Sequence, residues 1–142
     1  MAVSTVRASI GATPYTVELS DNHGHRWLGD EPADLGGANA GPAPEQQLLA
    51  SLGTCTAVTL MMYARRKQWL LTQVHVDLAF NPDGKPASGS DIHRSIQLIG
   101  QLDDEQRARL MQIADACPIH KVLTGEIRIA TISAHDDTGA SA

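Results

Sequence analysis

Residues 44–67 read PEQQLLASLGTCTAVTLMMYARRK, and the fold turns on this stretch. From Glu45 to Lys67 it holds no proline and a single glycine, Gly53. Leu48, Leu49, Leu52, Cys55, Thr56, Thr59, Leu60, Met62 and Tyr63 recur at three- and four-residue spacings, the period of a helix. No charge falls between Glu45 and Arg65. A helix apolar on nearly every side is expected to be central and buried. Pro44 suits the first turn, where a missing N–H is no loss. Arg65, Arg66 and Lys67 suit the negative end of the helix dipole.

Upstream of this helix, residues 30–44 (DEPADLGGANAGPAP) hold three glycines and three prolines and almost nothing apolar, so they form a long loop. Its Gly36-Gly37-Ala38-Asn39-Ala40-Gly41 is glycine-rich like a phosphate loop but lacks the lysine and the preceding parallel strand. Before it, residues 3–10, 14–20 and 25–29 read as short strands, with turn chemistry at Ser20-Asp21-Asn22-His23-Gly24. His23 and His25 flank that turn and are expected to be solvated.

Downstream, residues 74–80 alternate apolar and polar side chains, a half-buried strand. Residues 81–91 are rich in Pro, Gly and Ser and read as a hairpin loop. The partner strand is 92–100, which alternates again through Ile92, Arg94, Ile96 and Leu98. A second helix is expected over 104–117, with Asp103 and Gln106 forming a capping box and Pro118 ending it. Residues 127–132 are expected to be a closing strand, and the tail 135–142 to be frayed. Strands, loop, buried helix, strand pair, helix, strand is an α+β order, not that of a βαβ fold.

The 142 residues suit one domain. Eleven Lys+Arg against sixteen Asp+Glu give a net charge of −5, which argues against nucleic acid as a partner. No uninterrupted apolar run reaches the ~18 residues of a membrane span, so no membrane partner is expected. The first ten residues hold no compact apolar stretch, and a cytosolic protein is expected. With one Phe, two Tyr and two Trp, the core must be built from aliphatic residues and methionine, Met61 and Met62 among them.

Two cysteines, Cys55 and Cys117, do not make a disulfide framework. They are either small buried hydrophobes or a chemical pair. If the two helices pack face to face, the sulfurs meet and suit a thiol redox cycle. One thiolate attacks a peroxide oxygen, the sulfenic acid condenses with the second thiol, and a reductant reopens the disulfide. The attacking thiol needs a lowered pKa, which mid-helix Cys55 does not get from the helix dipole, so a nearby arginine is expected. Glu45 lies ten residues before Cys55, roughly 15 Å along the axis, too far for direct contact within that helix. Cys117-x-x-His120 with Cys55 offers three metal ligands but lacks the second pair of a structural zinc site. His120 is more simply a helix-end histidine.

Gly36-Gly37 and the run Gly41 to Thr56 (GPAPEQQLLASLGTCT) resemble the central helix of the OsmC/Ohr family, the osmotically inducible protein C and organic hydroperoxide resistance proteins. Cys117-Pro118-Ile119-His120 resembles its second cysteine motif, and the likeness runs from about Asp30 to Ile132. The resemblance implies an α+β fold of two central helices against curved antiparallel sheets, in an intertwined homodimer. It implies reduction of organic hydroperoxides, with Cys55 as the attacking cysteine, Cys117 as the resolving one and Glu45 as anchor of an activating arginine. It implies no metal or organic cofactor, and a dithiol or lipoyl-type reductant as co-substrate. Asp34-Leu35 and Thr16-Val17 stand where that arginine is expected, so Arg26, beside the loop, is the candidate. Thr56 replaces the phenylalanine common after the first cysteine. The alternative is a non-catalytic OsmC-like protein that binds a small apolar ligand or senses oxidants through Cys55.

Overall fold

The structure, a computed structural model, describes residues 3–134. The tail 135–142, expected to be frayed, lies outside the described residues. Three short strands come first: β1 (Val6–Ile10), β2 (Val17–Asp21) and β3 (Arg26–Gly29). They form an antiparallel meander in the order β1-β2-β3. A 3-10 turn at Ala33–Leu35 interrupts the loop that leads into α1 (Pro44–Lys67). A long antiparallel pair follows, β4 (Leu70–Phe80) and β5 (Ile92–Gln101), then α2 (Asp104–Ala114) and α3 (Pro118–Thr124).

The chemistry at the ends of α1 follows the sequence. Pro44 opens it, and the three cations lie in its last turn. Gln68 caps it in the left-handed conformation at φ 60°, its N–H donating to the Ala64 and Arg65 carbonyls. The expected capping box is also present. The Gln106 N–H donates to Asp103 at 2.8 Å, and the Asp103 N–H donates to the Gln106 side chain at 3.0 Å.

The expectation that α1 is buried all round needs correction. Only Leu52, Thr56, Leu60 and Ala64 are buried, a single stripe at four-residue spacing. β4, β5 and α2 cover that stripe, and the core is Leu60, Ala64, Leu71, Leu110 and Ala114. Met61 packs against it as expected, but Met62 is 56 % exposed, beside Val58 at 50 %. Despite its polar interruptions, α1 is long and apolar enough, by length and composition alone, to cross a membrane. Core helices share that property, and here the buried stripe is taken up by protein.

Two further expectations fail at the C-terminal end. The second helix stops at Ala114, not at residue 117, and a third, unexpected helix follows. Pro118 excludes the α conformation from Cys117, which sits at ψ 133°, and then serves as the first residue of α3. The expected strand at 127–132 is extended chain with no pairing among the described residues. A strand needs a paired neighbour, and this segment has none among the described residues. Ile127, Ile129 and Ile132 are exposed in consequence.

The glycine-rich loop closes around one carboxylate. Asp30, 3 % exposed, accepts from the Thr16 hydroxyl at 2.8 Å and from the N–H groups of Glu31, Ala38 and Ala40. A side chain at Gly37 would strike the Glu31 carbonyl, and one at Gly41 the Leu28 carbonyl. These glycines permit close backbone contact within the loop.

Candidate active site

α1 and α3 bring the two cysteines together. Cys55 sits mid-helix on the edge of the buried stripe, half-exposed, whereas Cys117 is fully buried and caps α3. The Ile119 N–H donates to Cys55 Sγ at 3.5 Å, and the His120 N–H donates to Cys117 Sγ at 3.4 Å. The two sulfurs lie within hydrogen-bonding reach of each other, and both are reduced.

Their environments differ. Burial pushes the Cys55 thiol up, and the Cys117 sulfur beside it pushes the same way. Burial also opposes ionisation of Cys117. There, however, the bonds from Cys55, from the His120 and Ile119 N–H groups and from the Thr56 hydroxyl outweigh it and hold the thiol below its ordinary value. The two sulfurs share a hydrogen bond and titrate as a pair, with their surroundings raising Cys55 and lowering Cys117.

A largely enclosed arginine bonds residues next to the cysteines. Arg94 projects from the inward row of β5 with 12 % of its side chain exposed. One guanidinium nitrogen donates to Thr56 Oγ1 at 2.9 Å and to the Ala114 carbonyl at 3.4 Å. The other donates to Asp115 Oδ1 at 2.9 Å and faces His120 Nδ1 at 3.3 Å. A donor on that side makes Nδ1 the acceptor and leaves the ring proton on Nε2. His120 thus links α3 to Arg94 and does not cap a helix end through its ring.

In front of Cys55 lies an open groove of about 910 Å³, whose lining includes Trp27, Pro42, Ala50, Val58 and Ile119 beside the polar Asp21 and Gln47. The Trp27 indole N–H donates to Gln47 at 3.2 Å, and Gln47 donates to the Pro42 carbonyl, fixing one wall. Asp21 accepts from the His25 and His23 N–H groups and from the His25 ring. The His25 N–H is the largest influence, and the carboxyl is lowered to about 2. His25 is therefore engaged with Asp21, although it remains exposed.

Neither Glu45 nor Arg26 lines this groove. Glu45 is exposed in the first turn of α1. Arg26 pairs with Ser20 across the sheet and lies with Arg7 and Glu18 on a separate surface depression. Arg94 instead bonds Thr56, next to Cys55, and faces His120, three residues past Cys117; sequence reasoning had listed it in the alternation of its strand without giving it a role. The available signal was that placement, because a charge in a row of Ile and Leu needs buried partners.

The family model of OsmC-like proteins matches residues 36–132. No curated protein matches the chain in sequence. Among solved structures, an OsmC-like protein from Mycoplasma pneumoniae superposes with a TM-score of 0.73 at 15 % identity, over 87 % of this chain and 89 % of that one. An organic hydroperoxide resistance protein OsmC from Legionella pneumophila gives 0.64 at 19 % identity, over 88 % and 91 %. An organic hydroperoxide resistance protein from Elizabethkingia anophelis gives 0.64 at 18 %, over 88 % and 90 %. At such identities the structures establish the shared α+β fold, and the family match, which spans more than half of the sequence, establishes that the chain belongs to the OsmC-like protein family.

Proposed function

We propose that this protein is a thiol peroxidase that reduces organic hydroperoxides with its cysteine pair. The observation that carries the reading is the pairing of Cys55 and Cys117 at the base of a groove walled by Trp27, Pro42, Val58 and Ile119. Apolar walls favour an alkyl or aryl peroxide over hydrogen peroxide.

The shared proton suggests how the cycle runs. With that proton on Cys117, the Cys55 thiolate attacks the distal peroxide oxygen. The O–O bond breaks, and the departing alkoxide takes that proton and leaves as the alcohol. Cys55 is now a sulfenic acid and Cys117 a thiolate. Cys117 attacks the Cys55 sulfur, the S–S bond forms, and hydroxide leaves to be protonated by solvent. A dithiol, such as a dihydrolipoyl group, returns both cysteines to thiols and is itself oxidised to a cyclic disulfide. A cytosolic setting would supply that reductant. No step calls on a metal or an organic cofactor.

A homodimer belongs to the same reading. The open side of α1 with Val58 and Met62, and the unpaired segment with Ile127, Ile129 and Ile132, are apolar surfaces that a second copy would cover.

The deciding experiment is consumption of cumene hydroperoxide and hydrogen peroxide, side by side, under a dihydrolipoyl or simple dithiol reductant. Wild type is expected to remove the organic peroxide faster, and Cys55→Ser to remove neither. No turnover by folded wild type would sink the reading. One observation favours a second reading, a ligand-binding or oxidant-sensing protein: among the described residues no arginine lines the groove at Cys55, whose thiol is pushed up. That reading predicts slow alkylation of Cys55 at pH 6 and no turnover.

A further inference from the structure

Among the described residues that line the groove in front of Cys55, Asp21 alone belongs to a charged type. Its carboxylate is fixed in place by its own turn. The His23 and His25 N–H groups donate to Oδ1 at 2.8 and 2.9 Å, and the His25 ring Nδ1 lies 2.8 Å from Oδ2. Donors on both oxygens favour the ionised form, so the carboxyl is charged at any neutral pH. The Asp21 side chain is 21 % exposed and that of His25 is 74 % exposed. Solvent therefore screens the imidazole more than it screens the carboxylate.

No cation of the same sheet shares this face. Arg7 and Arg26 pair with Ser20 in the adjacent row, and adjacent rows of a strand face opposite sides. The two arginines line a different depression. Cys117 is fully buried, so a reactant meets the cysteine pair at Cys55, through the groove. A Cys55 thiolate adds a second negative charge at the moment of reaction. A reactant with a carboxylate close to its reacting atom brings a third, and no lining residue offers it a cation. An uncharged molecule of the same shape meets no such repulsion. The net charge of −5 acts in the same direction at long range.

We infer that Asp21 is a specificity-determining residue of the groove, setting Cys55 to react with uncharged molecules in preference to carboxylate-bearing ones. This rests on the proposed peroxidase reading for its substrate and narrows that substrate to organic hydroperoxides with no carboxylate near the peroxide group.

The test is alkylation of Cys55 by iodoacetamide and by iodoacetate, reagents of nearly the same shape that differ by one charge. In both, the Cys55 thiolate displaces iodide and forms a thioether, and the adduct is followed by mass at pH 8. The ratio of the two rates is referred to the ratio for a small free thiol. Wild type is expected to favour iodoacetamide by roughly fivefold, the repulsion of two charges ~8 Å apart in a partly aqueous groove. Asp21→Asn is expected to bring the ratio most of the way back to that of the free thiol. A changed thiolate fraction at Cys55 alters both rates alike and cancels. Circular dichroism establishes that the variant is folded. Should Asp21→Asn not fold, Asp21→Ser, whose hydroxyl still accepts from the turn's N–H groups, decides. A wild-type ratio equal to the free thiol's, or one that the folded variant leaves unchanged, overturns the inference. The alkylation uses no peroxide, so the two readings fail separately. Charge discrimination in a chain without turnover rejects the peroxidase and keeps the role of Asp21, while turnover of cumene hydroperoxide without discrimination does the reverse.

Discussion

The Arg94 guanidinium donates to the Thr56 hydroxyl at 2.9 Å, joining β5 to α1 one residue past Cys55. Thr56 is fully buried and the Arg94 side chain is 12 % exposed, so water does not readily replace this contact. Hydrogen bonds to a charged group contribute more than neutral ones, and leaving a buried donor unmade costs more again. Thr56→Val is therefore expected to destabilise the protein by about 2 kcal/mol. Urea unfolding at pH 7 measures it, and an unchanged midpoint would show that the contact is not energetically coupled to the fold.

The cysteine pair predicts where a sulfenic acid persists. In wild type, Cys117 consumes it by forming the disulfide. In Cys117→Ser nothing resolves it. One equivalent of cumene hydroperoxide followed by dimedone should then give a mass adduct on Cys55 in the variant and little in wild type. Equal adducts in both proteins would remove Cys117 from the resolving role.

Leu60 is fully buried and sits where α1 meets Leu71, Leu110 and Ala114. Leu60→Ala removes its methyl groups and leaves a cavity that two helices and a hairpin cannot all close. A loss of about 3 kcal/mol is expected. Met62→Ala, one turn face away and exposed, is expected to change the isolated chain's stability little.

Burial works against the Asp30 carboxylate, but the N–H groups of Glu31, Ala40 and Ala38 and the Thr16 hydroxyl outweigh it and hold its pKa below the ordinary 3.8. A carboxyl depressed in the folded state contributes stability that is present in full above the unfolded value. That contribution is lost as pH falls from there through the folded value. Asp30→Asn replaces one acceptor oxygen with a donor amide, so the N–H bonds at one of the two oxygen positions, Glu31 and Ala38 or Ala40, are lost. The variant should melt at a lower temperature than wild type at pH 7, and the difference should shrink toward pH 2. A difference that stays constant with pH would assign the loss to shape, not charge.

Val58, half-exposed on the open side of α1, tests the proposed dimer. Sedimentation of wild type should give twice the single-chain mass, and Val58→Glu should shift it toward one chain. A wild-type monomer would remove the dimer from the reading.

Much of this architecture could be read locally. Pro44 with the cationic cluster 65–67 marks both ends of α1, and Asp103 with Gln106 marks the start of α2. Such signals act through neighbours in sequence. The failures are all non-local. Pro118 was read as a stop, and whether the chain restarts a helix after it depends on what the next turn packs against. Residues 127–132 carry strand-like alternation, but pairing requires a neighbour that no single chain's periodicity reveals. Cys55 and Cys117 were visible as a pair because both lie at helix positions with a strong motif. The arginine was sought before Cys55 in sequence, near Arg26, while Arg94, on a strand between the two helices, is the one bonded to Thr56 beside Cys55.

The ring of bonds around Asp30 has a practical counterpart in the tip of the β4–β5 hairpin. Segments 31–41 and 81–91 have the same number of residues and similar compositions, so they look interchangeable as places to alter the chain. They are not. The second is closed at its neck, where the Asn81 and Asp91 backbones and the Asn81 side chain meet, with one turn bond from the Gly84 N–H to the Asn81 carbonyl, and a side chain at Gly84 or Gly89 would meet open space. An epitope, a fluorophore-bearing cysteine or a fused peptide should be carried at 84–89 without disturbing the groove. The same insertion at 36–41 would pull apart the carboxylate-centred loop that leads directly into α1 and the cysteine it bears.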